Sequence, residues 1–248
     1  MRADKALVAR GVFPSRAQAQ VAIRAGLVRV DGRVVTKASE PITDTAGIEA
    51  SAPHPWVGRG GLKLDHALTE SGIDVSGAVA LDVGSSTGGF TDVLLARGAA
   101  RVFAVDVGRD QLADKLRGDA RVVVMEGQDA RELTRDLLGG QALRIDVVVC
   151  DASFIALSAV LPVPLSLARN GAWLVALVKP QFEVGKAGVG RGGVVKDLAL
   201  RERAVSDAAV FLSGEGWTVE GFTESPVTGG ATRKGGNRES LIWARKTG

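Results

Sequence analysis

A single cysteine and two histidines in 248 residues allow no internal disulfide and are too few for a structural zinc site. Neither crosslink nor metal is expected to hold this fold, and a reducing cytoplasm suits such a chain. Long apolar runs are also missing. The longest, Ala172 to Val178, spans seven residues, against the roughly 18 that a membrane-crossing helix needs. The opening MRADKALVARG carries charge in every turn and lacks the apolar centre of a secretory leader, so a soluble, cytoplasmic protein is expected. At 46% hydrophobic and 24% charged residues, the composition excludes disorder, collagen and a disulfide-built mini-protein.

The length is enough for one sizeable core and a smaller module, taking roughly 150 residues per domain. Net charge is only +3, but residues 1–37 hold eight Lys/Arg against two Asp, which leaves a net −3 for the rest. A basic head ahead of a mildly acidic body points to a polyanion as the partner of the head.

Within the head, Ala3 to Arg10 and Ser15 to Ala25 repeat small and apolar residues at helical spacing, with Ser15 placed as an N-cap. LVRVDGRVV then alternates apolar and basic residues around Asp31-Gly32, a dipeptide favoured in tight hairpins because both positions tolerate positive φ. This order of elements, carried by S-R-A-Q-A-Q-V-A-I-R-A-G-L-V-R-V-D-G at residues 15–32, resembles the alpha-L RNA-binding domain shared by a ribosomal protein and several RNA-modifying enzymes. The expected division is a head at 1–52, a proline-stiffened linker at 53–61 and a larger domain at 62–248. So short a linker favours two domains that grip one ligand together.

From Leu62 the pattern alternates. A helix to about Ser71 precedes strand-like runs at 78–84, 101–108, 121–127, 144–151 and 172–180, separated by helical segments at 90–97, 111–117, 130–138 and 155–169. Continuous Val-rich runs between helices mean a parallel sheet covered on both faces, an α/β Rossmann-like fold. After a helix near 197–213, TVEGFTESPV and ESLIWARK read as a terminal hairpin joined by the glycine-rich stretch at 228–237.

The first strand runs into LDVGSSTGGF, with glycines at Gly84, Gly88 and Gly89. Such a sheet binds ligands beyond the carboxyl ends of its strands, and glycines let backbone approach a nucleotide closely. The spacing is not the G-x-G-x-x-G of dinucleotide enzymes. Asp106 closes the second strand, where a carboxylate can accept from both ribose hydroxyls, and Asp129 follows the third, within reach of an adenine amino group. Together these features resemble the S-adenosylmethionine-dependent methyltransferases. The likeness makes Gly84, Ser85, Ser86, Gly88, Phe90, Asp106, Asp129 and Asp151 the expected cofactor residues.

Asp151 ends the fourth strand and Lys179 the fifth, on the same sheet edge as the glycine loop. With Lys63 before the first strand and Glu239 near the last, they give the K-D-K-E order associated with FtsJ-type ribose 2′-O-methyltransferases. R-G-G-L-K-L (59–64), D-A-S-F-I (151–155), V-K-P-Q-F-E-V-G-K (178–186) and G-G-V-V-K-D (192–197) resemble the TlyA family, also called hemolysin A, along almost the whole chain. The resemblance implies methylation of ribosomal RNA, with Lys63, Asp151, Lys179 and Glu239 as the catalytic set.

A ribose hydroxyl is a poor nucleophile, so the site must aim its oxygen and help its proton leave. We expect Lys179 to contact the hydroxyl as base or orienting group, Lys63 to lower its proton affinity, Asp151 to hold the lysines, and Glu239 to close the network. Arg2, Arg16, Arg29, Arg59, Arg131 and Lys186 are the expected RNA contacts, and the loop at 185–193 is expected to order over the nucleotide. Phe182 and Trp56 fit either base stacking or packing, and Cys150 reads as a small buried hydrophobe. No metal or membrane partner and a monomeric state are expected. A methyltransferase of a small molecule or DNA, and a ribosome-assembly factor with lost or incidental transfer, remain alternatives. A pore former has no amphipathic or membrane-spanning stretch behind it.

Overall fold

Val-rich strands flanked by helices need cover on two faces, and the computed structural model of the chain provides it. It describes residues 1–13, 15–52, 54–140, 142, 144–229 and 236–248. The chain divides into two units, Met1–Pro55 and Trp56–Gly248.

In the first unit, α1 (Ala3–Ala9) and α2 (Arg16–Arg24) precede β1 (Val28–Val30), β2 (Arg33–Val34) and β3 (Ile48–Ala50). Ser15 caps α2, its Oγ accepting from the Gln18 N–H at 3.3 Å. Asp31 and Gly32 both adopt positive φ, +49° and +77°, as a tight hairpin between β1 and β2 requires. Leu7, Phe13, Ile23, Val28 and Val35 form the core. Strand β3, antiparallel to β1, is an element the sequence does not announce. Its three residues, IEA, show no apolar alternation and lie at the sheet edge, half-buried or exposed.

The second unit contains α3 (Gly60–Ser71), β4 (Val79–Val83), α4 (Gly89–Ala96), β5 (Arg101–Asp106), α5 (Asp114–Arg117), β6 (Val122–Glu126), β7 (Ile145–Cys150), α6 (Leu157–Val160), α7 (Pro162–Leu167), β8 (Ala168–Val178), α8 (Pro180–Glu183), α9 (Leu198–Gly214), β9 (Trp217–Glu224) and β10 (Ser240–Lys246). Seven strands make one sheet in the order β6-β5-β4-β7-β8-β10-β9. The first five in chain order are parallel, and β10 enters antiparallel between β8 and β9, which is the terminal hairpin expected from the sequence. One core, with Leu81, Val83 and Val148, lies under α6, α7 and α9. The other, with Ala80, Val147 and Val149, lies under α3 and α4.

Three helical expectations are corrected. The segment at 155–169 is two short helices: Pro162 opens α7, and Arg169 already belongs to β8. The segment at 130–138 contains only a single 3-10 turn, Ala130–Glu132, because Asp129 and Thr134 side chains bond nearby backbone N–H groups, which offers the chain an alternative to helix. The segment at 111–117 is helical only from Asp114, since the N–H groups of Asp110, Gln111 and Leu112 donate to the Glu126 carboxylate. Residues 230–235 of the glycine-rich connection, with Arg233 and Lys234, and Pro53 of the linker lie outside the described residues. Among the described residues, no helix is long and apolar enough to cross a membrane.

Candidate active site

Helices α3 and α4 approach one another through glycines. A Cβ on Gly89 would stand 2.9 Å from the Gly61 N atom and 3.2 Å from the Gly60 Cα, so only a hydrogen at this position lets the two helix starts touch. Lys63, one turn into α3, is thereby brought over the carboxyl ends of β4 and β7. Asp82 at the end of β4 fixes α4 from below: its Oδ2 accepts from Thr91 Oγ1 at 2.6 Å. Asp82 is fully buried, and that burial pushes its carboxyl up to about 7, against the opposing hydrogen bond from Thr91.

Four charged side chains from distant parts of the chain meet above this edge. Lys63 Nζ lies 2.7 Å from Glu239 Oε2 and 3.9 Å from Asp151 Oδ2. Lys179 Nζ lies 2.7 Å from Asp151 Oδ1, an ionic contact angled too sharply to be a hydrogen bond. Its protons go instead to the Asp151 carbonyl oxygen at 3.0 Å and Ser153 Oγ at 2.7 Å. Asp151 therefore stands between the two ammonium groups, each of which faces a carboxylate. Lys63, Lys179 and Glu239 are buried, whereas the Asp151 side chain is 21% exposed.

Two cavities flank Asp151. One, of about 600 Å³, is lined by Lys63, Lys179, Glu239, Ser85, Gln181 and Asn237 among others. The other, of about 530 Å³, is lined by Asp106, Gly108, Gln111, Asp129 and the apolar side chains of Val83, Val107 and Ile155. Gly84, Ser86, Asp151, Ser153 and Phe154 line both. The loop after β4 is held from the second strand: Asp106 accepts from the Ser86 N–H at 2.8 Å and the Gly108 N–H at 2.7 Å, and Ser86 has a positive φ of +46°.

Not every expected cofactor residue lines the cavity beside Asp106. Gly88 lines neither cavity. It has φ +93° as the N-cap of α4, and a Cβ would collide with Leu112 and Leu116 in the core, so its work is packing. Phe90 is buried in that same core and lines only the first cavity. Asp129 borders the second cavity but is engaged by Arg131 at 2.6 Å, so Arg131 also sits on that side. Arg2 and Arg16 both converge on the buried Asp4, at 3.0 and 2.9 Å. Arg29 donates to its own hairpin at Gly32 O. Arg59 and Lys186 are exposed, and Arg59 borders the first cavity.

Sequence reasoning missed several lining residues. Phe154, three residues after Asp151, is 90% exposed with φ +67°, its ring 5.3 Å from that of Phe182. A bulky residue in that conformation is a strained outlier of the kind that clusters at functional sites. Glu126 lines neither cavity but was also missed: it ends β6, in the RVVVMEG run, and its carboxylate accepts from the N–H groups of Asp110, Gln111 and Leu112, of which Gln111 lines the second cavity. Cys150 is buried, and desolvation pushes its thiol up to about 12. No group of three or more His, Cys, Asp or Glu among the described residues is placed to hold a metal ion.

The pattern of the FtsJ-like methyltransferase family matches residues 56–246, and that of the S4 domain matches residues 1–47. The 16S/23S rRNA (cytidine-2′-O)-methyltransferase TlyA of Mycobacterium tuberculosis is 48% identical over 246 residues, 98% of this chain and 89% of that protein. Hemolysin A of Brachyspira hyodysenteriae is 40% identical, covering 77% of this chain and 79% of its own. A solved structure from Streptococcus thermophilus, described as a candidate hemolysin, superposes with a TM-score of 0.78 at 37% identity, over 100% of this chain and 88% of that one. The chain is thus a methyltransferase that belongs to the TlyA family, an S4 domain followed by an FtsJ-like domain.

Proposed function

We propose that this protein transfers the methyl group of S-adenosylmethionine to a ribose 2′-hydroxyl of ribosomal RNA in the cytoplasm. The observation that carries this reading is Asp151, which contacts both Lys63 and Lys179 where the two cavities meet.

The residues present suit the methyl donor. The cavity beside Asp106 offers apolar walls for a purine and two carboxylates, Asp106 and Asp129, for hydroxyl and amino groups. Ser85 supplies a buried hydroxyl with no hydrogen-bond partner among the described residues, in the cavity of the lysines. When bound, the donor supplies an activated methyl group on a sulfonium. Gly84, Ser86, Asp106, Asp129 and Asp151 would hold it.

The chain's own task is to present the acceptor. Lys179, fixed by Ser153 and Asp151, orients the 2′-oxygen, and the Asp151 carboxylate beside it takes up the hydroxyl proton. Lys63, locked by Glu239, holds the nucleotide and fixes the second oxygen of Asp151. Each ammonium group is held on a carboxylate, so in this reading Lys63 acts by positioning Asp151. The exposed ring of Phe154 suits stacking on the target base. The S4 unit provides positive charge for folded RNA, with the guanidinium groups of Arg2 and Arg16 gathered by Asp4 and Arg29 at the hairpin. Arg59 and Lys186 add charge in the second unit.

Incubation with labelled S-adenosylmethionine and ribosomes, separated subunits, naked RNA or DNA, followed by digestion to nucleosides, tests this reading. Label is expected in a 2′-O-methylnucleoside. Label in another product, or tight ribosome binding with no label, would contradict it.

A further inference from the structure

Asn237 is buried, 6% exposed, and its side chain and main chain are all engaged. Its Oδ1 accepts from the Val195 N–H at 2.8 Å, and its Nδ2 donates to Gly193 O at 2.8 Å. Its main chain pairs with Gly229 in both directions, at 2.9 and 3.0 Å. Two residues further on stands Glu239, the partner of Lys63. One amide therefore fastens the glycine-rich segment at 189–195 to the strand entrance that carries Glu239.

Among the described residues, the segment is otherwise held by the buried Val195 side chain and by the Val189 N–H, which donates to Lys186 O at 3.3 Å. Its internal main-chain bonds are Gly190 N–H to Val194 O and Gly193 N–H to Gly190 O, both 3.1 Å. Gly192 and Gly193 have positive φ, and a glycine-rich stretch loses more conformational entropy on ordering than most. Val189, Gly192, Gly193 and Val194 line the cavity of Lys63, Lys179 and Glu239, and none of them lines the cavity of Asp106.

We propose that Asn237 is a positioning residue that holds residues 189–195 as a wall for the target nucleotide, and so sets RNA affinity without entering the chemistry or the binding of the methyl donor. This rests on the reading above, in which the Lys63–Lys179 cavity receives the nucleotide. A primary amide suits the task because it presents one donor and one acceptor in a single plane, matching a carbonyl and an N–H two residues apart.

The test is Asn237→Ala in the full chain, with four readouts: KM and kcat for RNA methylation, direct RNA affinity, S-adenosylmethionine affinity by calorimetry, and amide hydrogen exchange over 189–195. Losing one buried and one partly buried hydrogen bond should raise KM and the RNA Kd roughly tenfold and leave kcat within about twofold. Donor affinity should stay unchanged, which also reports that the variant is folded, while the Val195 amide exchanges at least about tenfold faster. Unchanged KM, a fall in kcat at constant KM, or a parallel loss of donor binding would overturn the proposal. If the wild-type protein forms no 2′-O-methylnucleoside, the methyl-transfer reading fails separately, and RNA affinity with amide exchange still decides whether Asn237 sets the wall.

Discussion

Replacing Glu239 by alanine strands a buried cation. Lys63 is 8% exposed and Glu239 2%, so the 2.7 Å contact between them is shielded from bulk water. At an effective dielectric of about 20, that contact is worth roughly 6 kcal/mol of attraction, and the 3.9 Å contact with Asp151 roughly 4 kcal/mol. Desolvation offsets much of both. Removing one partner of a buried pair typically costs about 3–5 kcal/mol, because the other is left without compensation. Here the adjoining cavity admits water and Asp151 remains, which places the expected loss for Glu239→Ala near the lower end, about 3 kcal/mol. Lys63→Met with Glu239→Ala leaves no stranded charge, so the double variant should regain about 2 kcal/mol relative to the sum of the single losses. Urea unfolding followed by tryptophan fluorescence reads the correct unit, since Trp56, Trp173, Trp217 and Trp243 all lie in Trp56–Gly248. Single losses below about 1 kcal/mol that simply add would show that the pair is solvated, and the electrostatic argument would fail.

Asp82, raised to about 7, binds a proton in the folded state that the unfolded chain releases near pH 4. Stability of this unit should therefore fall as pH rises from about 4 to 7, by about 4 kcal/mol, and Asp82→Asn should flatten that slope in denaturant titrations. A wild-type slope of the opposite sign would contradict the assignment. Glu126 is held down to about 2, first by the Leu112 N–H and then by Arg117, and its carboxylate ties the 110–112 turn beside the Asp106 cavity. Glu126→Gln should weaken S-adenosylmethionine binding about tenfold by calorimetry while RNA affinity stays constant. Asp4 is held well below the usual carboxylate range, first by its hydrogen bond from Arg2. Its contribution to the first unit is present above about pH 4 and lost as pH falls below it. Amide exchange in residues 1–50 should accelerate in acid, and Asp4→Asn should remove that dependence.

The succession of parallel strands was legible because Val-rich runs separated by helices allow few alternatives, and the strand-end positions of Asp106, Asp151 and Lys179 follow from it, whereas the order of the strands in the sheet was not read from the sequence. Lys63 and Glu239 were legible only through family resemblance, since a lone helix lysine and a lone strand-edge glutamate look like surface charges. What escaped was set by tertiary bonds. Glu126 holds 110–112 as a turn ahead of α5 through three N–H groups, with Asp110 at φ +55°, and Gly88 packs against Leu112 and Leu116 where its motif suggested a ligand. Phe154 owes its exposure to a left-handed backbone that no periodicity encodes, and Asn237 matters through partners 42 and 44 residues away in sequence. Strand β3 was hidden because edge position removes the demand for apolar alternation.

Lys179→Met bears most directly on the central claim that the lysines around Asp151 act on the acceptor and not on the donor. Methyl transfer to ribosomal RNA and S-adenosylmethionine affinity should be measured on the same preparation. Transfer is expected to fall at least about a thousandfold while donor affinity changes by less than about threefold. Full turnover by the variant, or loss of donor binding in step with turnover, would contradict the account.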